Sequence, residues 1–194
     1  MKLRGLYAIT PGGTGLVDKV SQALEGGIVL LQYRRKSEAS LEEATALLAL
    51  ARRYGVPFIV NDDLELALRI GADGVHLGQE DGDLATARKK MKTKLIGASC
   101  YGRIDLARAA VAAGADYVAF GSVFPSPTKP SAVRAPLSLF TNDLHKPVCA
   151  IGGITLQNAP QVIAAGADMV AVISDLFDAP DIARQAAAYR KLFQ

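Results

Sequence analysis

Tryptophan is absent from the 194 residues, and aromatic side chains make up only 6% of the chain. A single-strand nucleic-acid binder would carry more stacking platforms. The two cysteines, Cys100 and Cys149, are too few for a disulfide framework. They read as small packed hydrophobes in a chain expected in the cytoplasm. No apolar run reaches the roughly 18 residues that would span a membrane. Met1 to Thr10 carries basic residues but no signal-peptide apolar segment or cleavage site. Nor does one sign of charge dominate: 22 Lys and Arg stand against 19 Asp and Glu, for a net +3. That balance admits anionic ligands without the basic, aromatic-interleaved footprint of a nucleic-acid surface. The expectation is a protein with no nucleic-acid and no membrane partner. Half of the residues are hydrophobic, which excludes disorder. A chain of this length buries a large core without disulfide or metal staples.

One phrase recurs along the chain. Ile70-Gly-Ala-Asp-Gly-Val is followed by Ala113-Gly-Ala-Asp-Tyr-Val and Ala165-Gly-Ala-Asp-Met-Val, with Glu25-Gly-Gly-Ile-Val as a degenerate copy. Each ends a helical pattern and opens a short apolar run. A C-cap glycine followed by entry into a buried strand explains it. Strand-like runs fall at Gly5–Ile9, Ile28–Tyr33, Pro57–Asn61, Gly74–Leu77, Leu95–Ser99, Tyr117–Phe120, Val148–Ile151 and Met169–Ile173. They are short and continuously apolar, as strands buried on both faces are. Helical patterns lie between them at Val17–Leu24, Leu41–Tyr54, Leu64–Ile70, Leu84–Lys90, Asp105–Ala113, Leu156–Ala165 and Ile182–Leu192, with room for only a short helix at Leu137–Asn142. Strict alternation implies a parallel sheet. Eight strands imply a single-domain α/β chain, a closed (β/α)8 TIM barrel over residues 1–194. The chain leaves roughly 24 residues per unit, near the minimum for a strand, a helix and two short loops. An open doubly wound sheet would show a glycine fingerprint after its first strand, and Thr10-Pro-Gly-Gly-Thr-Gly lacks that spacing.

Barrel active sites lie at the carboxyl ends of the strands. Polar residues gather there: Gln32-Tyr33-Arg34-Arg35-Lys36, Asn61-Asp62-Asp63, His76 through Asp81, Ser99-Cys100, Gly121 through Lys129, Gly152-Gly153 and Ile173-Ser174. Arg34, Lys36 and Lys129 supply positive charge for phosphate oxygens. Asp62 and Asp81 are hard carboxylates suited to Mg²⁺, which takes one or two carboxylates plus substrate phosphates and waters. Gly152-Gly153 and Ile173-Ser174 fit the phosphate site that barrels build from backbone N–H groups. Two anion sites imply two phosphorylated small-molecule reactants. Taken alone, Arg34-Arg35-Lys36 reads equally as a solvated loop. Gly152-Gly153 also has the form of a tight turn, but its position after the seventh strand favours phosphate, and Lys129 stands in Phe124-Pro-Ser-Pro-Thr-Lys-Pro, which reads better as an active-site lid of restricted flexibility than as plain surface. Asp63 reads as a helix N-cap. Asp73, Asp116 and Asp168 sit at strand entrances and read as structural. His76, inside a buried strand, reads as a satisfied structural histidine. No Ser/His/Asp or Cys/His constellation for nucleophilic catalysis appears.

Together these residues carry a resemblance that spans the chain. Gln32-x-Arg34-x-Lys36, Asn61-Asp62, Val75-His76-Leu77-Gly78-Gln79-x-Asp81, Gly97-x-Ser99, Gly121-x-x-Phe124-x-Ser126-x-Thr128-Lys129, Ala150-Ile151-Gly152-Gly153-Ile154 and Val172-Ile173-Ser174 closely resemble the thiamine-phosphate synthase family. The resemblance implies a transferase that joins 4-amino-2-methyl-5-hydroxymethylpyrimidine diphosphate to a thiazole phosphate. Diphosphate is released, with CO₂ where the thiazole carries a 2-carboxylate, by Mg²⁺-dependent dissociative substitution. It implies Mg²⁺ on Asp62 and Asp81. It implies that Gln32, Tyr33, Arg34, Arg35, Lys36, Asn61, Ser99 and Lys129 bind the pyrimidine diphosphate, with Arg34, Lys36 and Lys129 acting in catalysis. Ser126, Pro127, Thr128, Gly153, Ile173 and Ser174 are implied for the thiazole phosphate. The family often has an acidic residue where Arg35 stands and usually Thr where Ser126 stands. Two alternatives stay open. A thiazole tautomerase paralogue shares the barrel but lacks the metal carboxylates and diphosphate-binding cations, and a histidine at position 100 or 101 would favour it; Cys100 and Tyr101 stand there. The other is a non-catalytic module that binds thiamine phosphates. The sequence leaves room for a homo-oligomer.

Overall fold

The computed structural model describes residues 3–35, 40–125, 134–141 and 144–194. Its strands are β1 (Gly5–Ile9), β2 (Leu30–Tyr33), β3 (Phe58–Asn61), β4 (Gly74–Leu77), β5 (Leu95–Tyr101), β6 (Tyr117–Gly121), β7 (Val148–Ile151) and β8 (Met169–Val172). They pair in sequence order, all parallel, and β8 returns to β1 to close the barrel. The helices are α1 (Leu16–Gly26), α2 (Leu41–Arg53), α3 (Leu64–Ile70), α4 (Leu84–Met91), α5 (Ile104–Ala112), α6 (Ala159–Ala164), α7 (Ser174–Phe177) and α8 (Ile182–Lys191). The segment between β6 and β7 holds a 3-10 helix, Leu137–Thr141, within the stretch expected to be short. Closure of the sheet bears out the (β/α)8 reading.

The recurring Gly-Ala-Asp phrase has a double use. Its glycines, Gly71, Gly114 and Gly166, all take positive φ where a helix ends. Its aspartates then reach sideways to the preceding strand. Asp73 Oδ2 accepts from Phe58 N at 3.0 Å, Asp116 Oδ2 from Ile96 N at 2.9 Å, and Asp168 Oδ2 from Val148 N at 3.0 Å. These N–H groups open β3, β5 and β7, where the ladder offers no partner. The three aspartates are structural, as expected. In the degenerate copy Gly27, not Gly26, is the positive-φ cap. Val29 stands where the aspartates stand, donating to Leu6 O as Asp73 donates to Phe58 O.

Helix starts follow ordinary capping chemistry. Ser40, Asp63, Asp83 and Asp181 accept from the third residue onward at α2, α3, α4 and α8. Asp63 is therefore a cap. Two helical expectations are corrected. The helix expected from Leu156 begins at Ala159, because Asn158 and Thr155 bond one another across the turn before it. The four-residue α7 was not expected, being too short to show a helical period.

Strand alternation separates two packed layers. Outward residues such as Leu31, Val60, Val75, Val118 and Val170 meet the helices. Inward residues Tyr7, Ile9, Leu30, Ile59, Tyr117, Cys149 and Met169 fill the barrel. Among the described residues, the buried polar side chains are Thr10, Gln32 and His76. All three belong to the upper barrel.

Candidate active site

The period of two decides what β2 offers the mouth. Leu30 and Gln32 face inward, and Leu31 and Tyr33 face the helices. Arg34 continues the inward series; its charge acts on Asp62. Thr10 Oγ1 clamps the backbone there, accepting from Arg34 N at 2.9 Å and donating to Arg34 O at 3.2 Å. Tyr33 and Arg35 correct the sequence reading. The Tyr33 ring stacks on Phe58, and its hydroxyl donates to Glu43 Oε1 at 3.0 Å. Arg35 forms a two-pronged pair with the same Glu43 on α2, with Nε to Oε1 at 2.7 Å. Both point away from the mouth because they sit on the outward phase of the strand. Lys36 lies outside the described residues.

At the end of β3, Asp62 takes φ 64°, a left-handed conformation rare for a residue with a side chain. Its N–H donates to His76 O at 2.8 Å, and Asn61 Nδ2 donates to its Oδ2 at 2.5 Å. Asp81 arrives from the loop after β4. Its carboxylate folds back to accept from Gly78 N at 2.8 Å. A side chain on Gly78 would meet that carboxylate at 2.6 Å, so the glycine permits the close approach. Partial burial and the adjoining Asp81 carboxylate push the Asp62 carboxyl up to about 6, opposed by Arg34 and Asn61. A carboxylate whose proton affinity is raised by a second carboxylate beside it fits a divalent cation between the two. Among the described residues no group of three or more His, Cys, Asp or Glu could hold a metal. A Mg²⁺ here would therefore complete its shell with substrate oxygens and water.

Below these carboxylates runs a buried polar chain. Gln32 Nε2 donates to the Tyr7 hydroxyl at 2.6 Å, which meets the Tyr117 hydroxyl at 2.8 Å. Tyr117 in turn meets His76 Nδ1 at 3.1 Å, and His76 Nε2 meets Ser99 Oγ at 2.9 Å. Burial holds His76 down at about 4, against the pull of Asp81, so the ring is neutral at pH 7. His76 is thus hydrogen-bonded on both nitrogens, but one partner leads to the mouth. Tyr7 and Tyr117 were missed in the sequence; each reads as one more apolar strand residue.

The opposite side of the mouth is built from backbone. Gly152 and Gly153 take φ 98° and 64°. The start of the β6–β7 connection lies directly on them: a Cβ on Gly152 would stand 2.2 Å from Ser122 Oγ, and one on Gly153 would stand 2.3 Å from Pro125 O. Asn158 Nδ2 holds Gly153 O at 2.9 Å. Ile173 and Ser174 sit at the start of α7, next to Asp175. Asp175 Oδ2 accepts from Leu156 N at 3.1 Å, Gln185 Nε2 at 2.8 Å and the Tyr189 hydroxyl at 2.6 Å. It ties the β7 loop, α7 and α8 together behind the glycines. Neither Asn158 nor Asp175 carries a signal in the sequence that distinguishes it from a surface residue. Ser126, Pro127, Thr128 and Lys129 lie outside the described residues.

The family model for thiamine monophosphate synthase matches residues 6–176. The chain belongs to the thiamine monophosphate synthase family. A thiamine-phosphate synthase of Aromatoleum aromaticum is 58% identical over 202 residues, covering 99% of this chain and 97% of that one. Another from Thioalkalivibrio sulfidiphilus is 56% identical over 205 residues, covering 100% and 97%. The solved thiamine phosphate pyrophosphorylase from Pyrococcus furiosus superposes with a TM-score of 0.89 at 35% identity, covering 99% of this chain and 96% of that one. As a member of the thiamine-phosphate synthases the chain is a transferase of thiamine biosynthesis. Among the described residues, no helix is long and apolar enough to cross a membrane.

Proposed function

We propose that the chain, as one catalytic domain over residues 1–194, joins the aminopyrimidine diphosphate to a thiazole phosphate at the carboxyl end of the barrel. The observation that carries this reading is the division of the mouth into two unlike halves. Arg34, Asp62 and Asp81 gather on one side, and uncharged backbone around Gly153 and Ser174 gathers on the other. A leaving diphosphate needs cations. An anchoring phosphate that stays bound needs only N–H donors.

Asp62 and Asp81 would hold Mg²⁺, which when bound would supply positive charge to the diphosphate oxygens. Arg34 adds its positive charge on the same side, with Lys36 and Lys129 in the same role. The methylene C–O bond breaks, and its electron pair leaves with diphosphate. The electron-rich aminopyrimidine supports the methylene cation. The thiazole nitrogen then gives its lone pair to form the C–N bond, and a 2-carboxylate, where present, leaves as CO₂. Gln32, Asn61 and Ser99 orient the pyrimidine. Gly153, Ile173 and Ser174, with Ser126, Pro127 and Thr128, hold the thiazole phosphate. No protein nucleophile takes part; the barrel orients the reactants and keeps water from the cation. A cytoplasmic location and phosphorylated small-molecule partners belong to the same reading.

The test supplies both phosphorylated precursors and follows thiamine phosphate and diphosphate together. Equal amounts of the two products are expected. Isomerisation of a thiazole carboxylate phosphate without condensation would replace this reading by a tautomerase, and binding without turnover by a non-catalytic module.

A further inference from the structure

The buried polar chain spans the barrel from β2 through β1, β6 and β4 to β5, and its geometry gives it a direction. Gln32 Nε2 can only donate, so the Tyr7 oxygen accepts. Each phenol owns one proton. Among the described residues the Tyr7 hydroxyl meets no acceptor other than the Tyr117 oxygen, so Tyr7 passes its proton toward Tyr117, and Tyr117 passes its own toward His76 Nδ1. Nδ1 is then an acceptor, and the ring proton sits on Nε2, facing Ser99 Oγ. Burial keeps both phenols protonated, so each retains the proton it donates. Among the described residues Ser99 Oγ has no partner other than His76. Its own proton is left for the mouth.

We infer that Tyr7, Tyr117 and His76 are positioning residues that fix His76 as the Nε2–H tautomer and so commit the Ser99 hydroxyl to donate to an acceptor atom of the pyrimidine diphosphate. The packing supports a fixed arrangement. The Tyr7 and Tyr117 rings meet edge to face at 5.8 Å, and His76 lies against Tyr117 at 5.6 Å. A Cβ on Gly97 would stand 2.1 Å from the Tyr117 ring and 2.5 Å from His76 Nδ1, so this glycine makes the space in which the two meet. A reversed chain would run from Ser99 to His76 Nε2 and leave Ser99 with lone pairs alone. The direction of the chain thus sets the polarity of a contact at the mouth, about which burial alone says nothing. The assignment of substrate rests on the proposed function; the tautomer does not.

The chain has only two histidines, His76 and His145, so ¹⁵N-histidine labelling gives a simple spectrum. A His145→Gln variant assigns it. Long-range ¹H–¹⁵N correlation of the unliganded protein should show His76 with its proton on Nε2. A proton on Nδ1 would overturn the inference, whether or not any variant folds. Tyr117→Phe should then admit the second tautomer, and an unchanged pure Nε2–H signal would remove Tyr117 from the device. In steady-state assays Tyr117→Phe should raise KM for the pyrimidine diphosphate about 3- to 10-fold, the worth of one neutral hydrogen bond, and leave KM for the thiazole phosphate unchanged. Tyr117→Phe combined with Ser99→Ala should lose no more than Ser99→Ala alone. Losses that multiply would show that Tyr117 acts without Ser99. If the wild-type protein makes no thiamine phosphate, an Nε2–H signal still supports the tautomer while the functional reading falls.

Discussion

At Gly97 the missing side chain is what lets an aromatic ring from β6 reach a histidine from β4. Gly97→Ala places a methyl group inside that contact. Overpacking of this kind costs about 1–3 kcal/mol, and urea denaturation should show a loss in that range. The same change should weaken pyrimidine diphosphate binding, because Ser99 depends on the displaced histidine. Asp62 carries a different kind of strain, a left-handed backbone beside a second carboxylate. Residue types at the mouth were legible in the sequence; their directions were less so. Gln32 and Arg34 face the site while Tyr33 and Arg35 face Glu43, although all four stand in one polar run. Counting by two from the buried Leu30 separates them. The motif hides this because its neighbouring positions look equally polar. The basic side chain of Arg35 serves as a brace between β2 and α2.

Among the elements, the Gly-Ala-Asp units explain why the strands begin where they do, and they were readable as punctuation from their repetition alone. What could not be read was the sideways reach of each aspartate, which depends on the register between neighbouring strands. The short α7 was hidden for a related reason, since its purpose is tertiary. Through Asp175 it collects donors from the β7 loop and from α8. Burial and that carboxylate both keep Tyr189 protonated, so the phenol remains a donor. Asp175→Ala should cost about 2–4 kcal/mol, since hydrogen bonds to a charged acceptor are worth roughly 1.5–3 kcal/mol each and do not add fully. It should also raise KM for the thiazole phosphate while the pyrimidine KM holds. Chemical denaturation and two-substrate kinetics check the two halves of this prediction separately. Ser174→Ala should do much less, raising the thiazole KM about 2- to 10-fold, because the backbone donors survive. Ser174→Asp should be far worse through like-charge repulsion.

For the molecule as a whole, the closed barrel was legible from eight short apolar strands alternating with helical patterns, together with the missing glycine fingerprint that an open doubly wound sheet would show after β1. One buried group gives the stability of that barrel a pH signature. His76 titrates near 6.5 in the unfolded chain and at about 4 in the fold. Between those values the unfolded chain binds more protons, so stability rises with pH through this window. The contribution is present in full above 6.5 and lost as pH falls through 4, amounting to about 3 kcal/mol. Urea midpoints of the wild type and of His76→Gln should converge as pH falls from 7 to 4; parallel curves would mean that folding does not shift the proton affinity of His76. The central claim concerns the carboxylates of Asp62 and Asp81 as the seat of the Mg²⁺ on which condensation depends. Its most direct measurement is thiamine phosphate formation from both precursors as Mg²⁺ is titrated into the wild type, Asp62→Ala and Asp81→Ala, with melting curves of all three. The wild type should form product only with Mg²⁺, and each variant should melt normally yet lose about 10²–10³ or more in rate. Full turnover of the wild type in chelator, or normal turnover of either variant at low Mg²⁺, would contradict it.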